Sequence, residues 1–324
     1  MSDAIKLEQL TKTFGEKVAV RAMDMVVPTG GLYGFIGPNG AGKTTTIRMI
    51  MSILFPDSGR VSVLGHDSAL QAKGRIGYLP EERGVYKKMK VGAFLRYMAR
   101  LKGVDRAGLQ QKVTRWLERL ELPDVENKRC DELSKGMQQK VQFISTVIHE
   151  PELLILDEPF SGLDPVNMRL LRNLIREVHQ KGTTIIFSTH VMIQAEQLCD
   201  HIFMIHDGRK VLDESLHSVR TKFDPRSLLV ETLDPKADPA PLRSVAGVRD
   251  VTKSDGIYEV QFDEETNLSG AMSEIVGVMP MARVELHRPT LEDVFVQIVT
   301  GTGQRSEELR AALRAEPQTE GQGA

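Results

Sequence analysis

The stretch GPNGAGKT, Gly37 to Thr44, decides the architecture of this 324-residue chain. It fits the pattern GxxxxGK[ST], and its flanks agree with it. The preceding LYGFIG is a small apolar strand, and the following KTTTIRMIMSIL places Ile47, Ile50, Met51 and Leu54 at helical spacing before PDSG breaks the pattern. A glycine loop between a strand and a helix wraps its backbone N–H groups around a polyphosphate. Gly37, Pro38, Asn39, Gly40, Ala41, Gly42, Lys43, Thr44 and Thr45 are therefore the candidate phosphate-binding residues. Lys43 supplies a point charge to the β and γ phosphates, and the Thr44 hydroxyl can ligate Mg²⁺.

Outward from this loop, LLILDEP puts Asp157 and Glu158 at the end of an apolar strand, where a parallel sheet presents its ligand groups. Asp157 is expected to hold Mg²⁺ through water, and Glu158 to polarise the attacking water as general base. LLIL (153–156) and TTIIFS (183–188) read as buried strands separated by the helical NMRLLRNLIREVHQK, the βαβ rhythm of a parallel sheet. In FMIHDGRKVL, Asp207-Gly208 is a hairpin turn signal. Residues 4–36 read as short strands and turns, and Val91 to Glu150 as mostly helical. Leu109, Val113, Trp116, Leu117 and Leu120 form one apolar stripe there, a core face rather than a ligand box.

After about residue 221 the character changes, with Asp224-Pro225 and DPKADPAP (234–241) marking a boundary or long surface loops. Beyond them come strand LLVETL, helix PLRSVAG, strand VRDVTK, turn SDG, strand IYEVQF, helix LSGAMSEIVGVM, strand RVELHR and helix LEDVFVQIVT. That βαββαβ order with a last helix is a ferredoxin-like sandwich over 221–300. Residues 301–324 read as a polar, frayed tail in which SEELRAALRAE forms at most a turn or two of helix.

Length allows about two domains with sizeable cores. Lys plus Arg total 42 against 44 for Asp plus Glu, a formal charge of −2. That balance argues against a generally basic nucleic-acid binder, and no nucleic-acid partner is expected. The longest uncharged stretch, Gly182 to Ala195, is shorter and more polar than the roughly 20 apolar residues of a membrane span. With no basic segment followed by an apolar run at the N-terminus, and only Cys130 and Cys199, the chain reads as cytosolic and reduced.

Three further segments complete a set: LSKGMQQK (Leu133 to Lys140), SGLDP (Ser161 to Pro165) and STH ending at His190. Taken singly, Ser134 would be a helix N-cap, SGLDP a turn and His190 a core histidine. Together, over roughly residues 3–220, they resemble the nucleotide-binding subunit of ATP-binding cassette (ABC) transporters, with phosphate loop, signature, acidic strand end, D-loop and switch histidine in the family's order. The resemblance implies an α/β P-loop cassette with a RecA-like core, a β-subdomain and a helical subdomain (about 85–150). It also implies an ATP sandwich, in which two cassettes pair head to tail as a homodimer or heterodimer. Ser134, Lys135 and Gly136 would then meet the γ-phosphate in trans, Asp164 would couple the two sites, and His190 would hydrogen-bond the γ-phosphate. Phe14, in TKTFG, stands where the family stacks an aromatic on adenine.

The chain departs from the family at two places. The usual LSGGQ is LSKGM, so Lys135 can strengthen phosphate attraction while Met137 cannot replace amide hydrogen bonds. In IGYLPEERGVY, Glu81 stands where a Gln is usual; its carboxylate accepts from a Mg²⁺-bound water but cannot donate as an amide does. The family's partners are integral membrane permease subunits, which places the chain peripherally on the cytoplasmic face of the cell membrane. GYLPEERGVY, LSKGM and the ending HRPTLEDVF resemble the sodium and drug exporter branch with an appended C-terminal domain. A βαββαβ module of this kind can dimerise, bind a small regulator or only cover an edge of the cassette, and dimer support is the reading favoured here. A soluble cassette ATPase of translation or DNA repair is the alternative, but such chains usually carry two cassettes or a coiled-coil insertion. A P-loop GTPase lacks support, because Asn127-Lys128 continues as Arg129-Cys130 rather than as a base-reading NKxD.

Overall fold

A computed structural model describes residues 2–82, 84–224 and 226–300. The expected tail at 301–324, with its SEELRAALRAE run, lies outside the described residues, as does Pro225 of the first proline cluster. Contacts divide the chain into two compact units at Leu216/His217.

The first unit opens with β1 (Asp3–Phe14) and β2 (Lys17–Pro28), each 12 residues long, where the sequence suggests several short strands. The difference has a physical cause. The β1–β2 pairing slips between Leu7 and Leu10 and again between Leu10 and Lys12, and Gln9 and Ala22 take positive φ there. Such bulges interrupt the inside–outside alternation that a strand is read by. Next come β3 (Leu32–Ile36), α1 (Lys43–Ile50), β4 (Ser58–Val63) and β5 (Ile76–Leu79). β1 lies between β2 and β4 in an antiparallel sheet.

Three helices follow: α2 (Val91–Leu101), α3 (Leu109–Arg119) and α4 (Lys135–Val147). The expected stripe is core: Val113 and Leu120 are fully buried, and Trp116 packs edge-on to Phe143 of α4. The chain then returns through β6 (Leu153–Asp157), α5 (Pro165–Gln180), β7 (Thr184–Thr189), α6 (Met192–Leu198), β8 (His201–His206) and β9 (Arg209–Ser215). The central sheet runs β5-β6-β7-β3-β8-β9, parallel except for the β8–β9 hairpin. Asp207 and Gly208 both take positive φ at that hairpin, as its turn signal requires. Every residue of β6 and β7 is buried, the mark of strands covered on both faces. Because the strands are parallel, β3, β6 and β7 deliver the residues after their C-terminal ends to one edge.

The boundary falls after the first residue of α7 (Leu216–Lys222); the second unit carries the rest of that helix and then β10 (Ser227–Thr232), α8 (Ala240–Arg243), β11 (Val248–Ser254), β12 (Ile257–Phe262), α9 (Leu268–Val278), β13 (Met281–Leu286) and α10 (Leu291–Thr300). Its antiparallel sheet runs β11-β12-β10-β13, the ferredoxin-like order. Leu228, Val230, Val260 and Phe262 on one sheet face pack with Leu242, Ala271 and Ile275 of α8 and α9.

Candidate functional site

The loop between β3 and α1 has the geometry its glycines foretell. A Cβ on Gly42 (φ 107°) would stand 2.4 Å from the Ala19 carbonyl oxygen, and one on Gly37 would stand 2.2 Å from that of Ile205. Neither position accepts a side chain, so the backbone is pressed against β2 and β8 and turned outward. Gly42 precedes α1 without a side-chain cap, leaving the first N–H groups of the helix available to an anion.

Phe14, Lys17, Ala19, Asn39, Gly40, Gly42, Lys43, Thr44, Thr45, Glu81 and Glu158 line a cavity of about 450 Å³ over this loop. Phe14 and Glu81 are thus brought to the phosphate loop from positions far away in sequence. The Phe14 ring is half exposed, an open face for a stacking partner. Lys43 is buried, and its Nζ donates to the carbonyls of Gly37 (2.7 Å) and Pro38 (3.2 Å). Burial pushes its pKa down, with Glu158, Asp157 and Glu81 pulling it back toward the charged form.

Behind the cavity lies Asp157, fully buried. Its Oδ1 accepts from Ser188 Oγ at 2.9 Å, and its Oδ2 is buried without a hydrogen-bond partner among the described residues. Burial raises its pKa; Ser188 and Thr44 oppose the rise, and the negative charges of Glu81 and Glu158 add to it. A carboxylate kept here with an open oxygen, beside a threonine hydroxyl, is a donor set for a hard cation.

Glu158 takes φ 47°, a left-handed backbone unusual for a residue with a side chain and concentrated at functional sites. Its Oε1 accepts from the His190 backbone N–H at 2.8 Å and meets His190 Nδ1 at 2.7 Å. Its Oε2 accepts from Thr189 Oγ1 at 3.0 Å. The Glu158 contact raises the His190 pKa above its ordinary value, with burial opposing it. With Nδ1 turned to Glu158, Nε2 is the nitrogen left for a ligand.

Ser134, Lys135, Gly136 and Asp164 are not in the cavity wall. Ser134 caps α4 by accepting from the Met137 N–H, and a Cβ on Gly136 would meet the Leu163 side chain at 3.5 Å. Signature and D-loop therefore lie side by side in one chain. Asp164 caps α5, accepting from the Asn167 N–H at 2.9 Å. Sequence reasoning missed Lys17 and Ala19 in the wall, and the hydroxyls of Ser188 and Thr189 on the two acids. The βαβ reading of TTIIFS (183–188) puts a strand end there, which is the available signal.

A family model described as ABC transporter matches residues 20–161, and one described as ATP-binding protein DrrA1-3-like, C-terminal domain, matches residues 215–299. The chain is 39% identical over 295 residues to the uncharacterised ABC transporter ATP-binding protein YhaQ of Bacillus subtilis, covering 91% of this chain and 98% of that one. It is 31% identical to the bacitracin transport ATP-binding protein BcrA of Enterococcus faecalis (94% and 98% covered). With the Nod factor export ATP-binding protein I of Burkholderia orbicola it shares 30% (91% and 96%). A solved structure titled as the ATP binding subunit of an ABC transporter superposes with a TM-score of 0.63 at 30% identity, over 68% of this chain and 93% of that one. Among the described residues no helix is long and apolar enough to cross a membrane. The chain belongs to the ABC transporter family as an ATP-binding subunit, an ATPase that works with membrane permease subunits.

Proposed function

We propose that two copies of this cassette, or this cassette and a close relative, close head to tail around two ATP and drive export from the cytoplasmic face of the membrane. The carrying observation is that the nucleotide cavity is one-sided. Its wall holds the phosphate loop, Phe14, Glu81 and Glu158 but none of Ser134, Lys135 or Gly136. We therefore read the residues at the start of α4 as meeting the γ-phosphate bound by another copy. Lys135 then brings a cation, and Ser134 a hydroxyl, to the opposite side of the nucleotide. The relatives named for bacitracin transport and Nod factor export favour export as the direction.

Within one site, Phe14 stacks on the base, the backbone of Gly37 to Thr45 cradles the phosphates, and Lys43 moves from its loop carbonyls to the β and γ oxygens. The open Asp157 oxygen and the Thr44 hydroxyl fit Mg²⁺ and would hold it, with Glu81 as a further carboxylate near it; the ion would supply positive charge to the phosphates. Glu158 orients and deprotonates the attacking water, and His190 Nε2 donates to the γ-phosphate. The second unit, 217–300, supports the pair.

Dimerisation in a hydrolysis-slowed Glu158→Gln background tests this. Light scattering is expected to find a dimer with ATP and Mg²⁺ and a monomer with ADP, because a ligand shifts association only through contacts that differ between states. Ser134→Arg in that background should abolish the dimer while leaving nucleotide binding intact. A persistent dimer would remove the signature from the interface, unless truncation after residue 216 restores the monomer and assigns the pairing to the second unit.

A further inference from the structure

Helix α4 carries Gln139 and Gln142, three residues apart and hence on one face. Both side chains are almost wholly buried, at 2% and 4% exposure, which amides tolerate only when they have partners. Gln139 Nε2 donates to the Pro159 carbonyl at 3.0 Å, and Gln142 Nε2 donates to the Glu82 carbonyl at 3.3 Å. Pro159 directly follows Glu158, and Glu82 directly follows Glu81. One helix face thus reaches the two separate loops whose acids line the nucleotide cavity.

The two tethers are unequal. Glu158 is also held by its own N–H on the Ser188 carbonyl, by Thr189 and by His190. The Glu81 loop has a further tie to α1, Arg48 to Glu82 at 4.0 Å, but both side chains are largely exposed and such a pair contributes little. Among the described residues Gln142 is therefore the buried side-chain anchor of the Glu81 loop. Its helix is itself seated on the strand leading to that loop: a Cβ on Gly77 of β5 would stand 2.4 Å from the Thr146 carbonyl. Ser145 and Thr146 both donate their hydroxyls to the Gln142 carbonyl, at 2.7 and 2.9 Å.

We propose that Gln142 is a positioning residue for ATP hydrolysis. It ties the Glu81 loop to α4 while Gln139 ties the Glu158 loop to the same helix, so α4 sets the spacing of the two acids across the nucleotide. The proposal rests on the reading above in which Glu81 acts at a Mg²⁺-bound water in the nucleotide site.

Gln142→Leu is the central variant. Leucine occupies similar space and removes an amide oxygen that is buried without a partner among the described residues, so thermal stability should stay near wild type. ATP affinity, read with a fluorescent nucleotide, should not change, since Lys43 and Phe14 are untouched. Turnover should fall by roughly 10- to 100-fold, the effect of a misplaced catalytic group. Hydrogen exchange should quicken in the Glu81–Glu82 loop and not at 157–160; Gln139→Leu should reverse that pattern.

Wild-type turnover and exchange in Gln142→Leu would overturn the proposal. If that variant fails to fold, Gln142→Met decides, filling the space without a donor: the same losses support the tether, and full activity overturns it. Glu81→Ala separates the two levels. If it turns over normally, the assignment of Glu81 fails and takes the tether's role with it; if it is impaired while Gln142→Leu is normal, only the tether fails. When both hold, adding Gln142→Leu to Glu81→Ala should cost little more, because the two act through one loop.

Discussion

Two cavities sit at opposite ends of the central sheet. The cavity proposed for the nucleotide, about 450 Å³, lies past the C-terminal ends of β3, β6 and β7. A second, about 510 Å³, lies at the N-terminal ends of β6 and β7 beneath α3, lined by Trp116, Arg119, Lys112 and Glu150 among others. The larger one is the poorer site. Lys112 meets Glu150 at 2.7 Å, Arg119 pairs with Glu177, and the Arg119 guanidinium lies 4.4 Å over Trp116. Lys112, Glu150 and Arg119 thus already have protein partners. In the smaller cavity the cation rests on loop carbonyls, and behind it a buried acid keeps an open oxygen without a partner among the described residues. Unfinished polar chemistry, not volume, distinguishes a site.

The sharpest way to break that contrast is to change one atom of the smaller cavity. Glu158→Gln keeps the size and acceptor of the side chain but removes its basicity, so single-turnover hydrolysis should slow by roughly 10²–10⁴ with ATP affinity retained. Normal turnover would take Glu158 out of the mechanism.

Asp157→Asn should show the cost of keeping an acid ready. Burial raises the Asp157 pKa above its ordinary value near 3.8, so at neutral pH the folded state carries a charge it disfavours. The sign follows: below the unfolded pKa both states are protonated and there is no penalty. As pH rises toward the folded pKa, only the unfolded state has released its proton, and stability falls; above the folded pKa the penalty is complete. Without nucleotide, Asp157→Asn should therefore melt higher than wild type at pH 7, by about 2–4 °C per kcal/mol relieved. The gain should shrink as pH drops toward 3.8, while Mg²⁺-dependent turnover is lost. A variant that melts lower at pH 7 would show that the acid is structurally satisfied.

The smallest effect is expected in the larger cavity. Arg119→Ala loses a half-exposed ion pair and a stacked guanidinium, about 0.5–1 kcal/mol in a melting curve, with ATP affinity and turnover unchanged. A tenfold change in affinity would mean that this cavity communicates with the nucleotide and the contrast is too simple.

Much of this protein was legible before folding was considered. GPNGAGKT, LLILDEP and Asp207-Gly208 are contiguous, and each carries its own geometry: glycines that admit positive φ, an apolar run that ends in acids, a turn that suits a hairpin. The βαββαβ order after residue 221 likewise specified a ferredoxin-like sheet through local patterning alone. Interrupted pairing hid the true length of β1 and β2, since bulges break the very alternation by which strands are recognised. Other features arose only in three dimensions. Ala19 and Lys17 reach the nucleotide wall from a strand whose sequence carries no phosphate signal. Ser188 and Thr189 find acids 31 residues away, and Gln142 finds a carbonyl 60 residues away. Backbone conformation is set largely by neighbours in the chain, whereas a buried amide or hydroxyl takes its partner from whatever packing brings within 3 Å or so, and no short-range pattern records that choice.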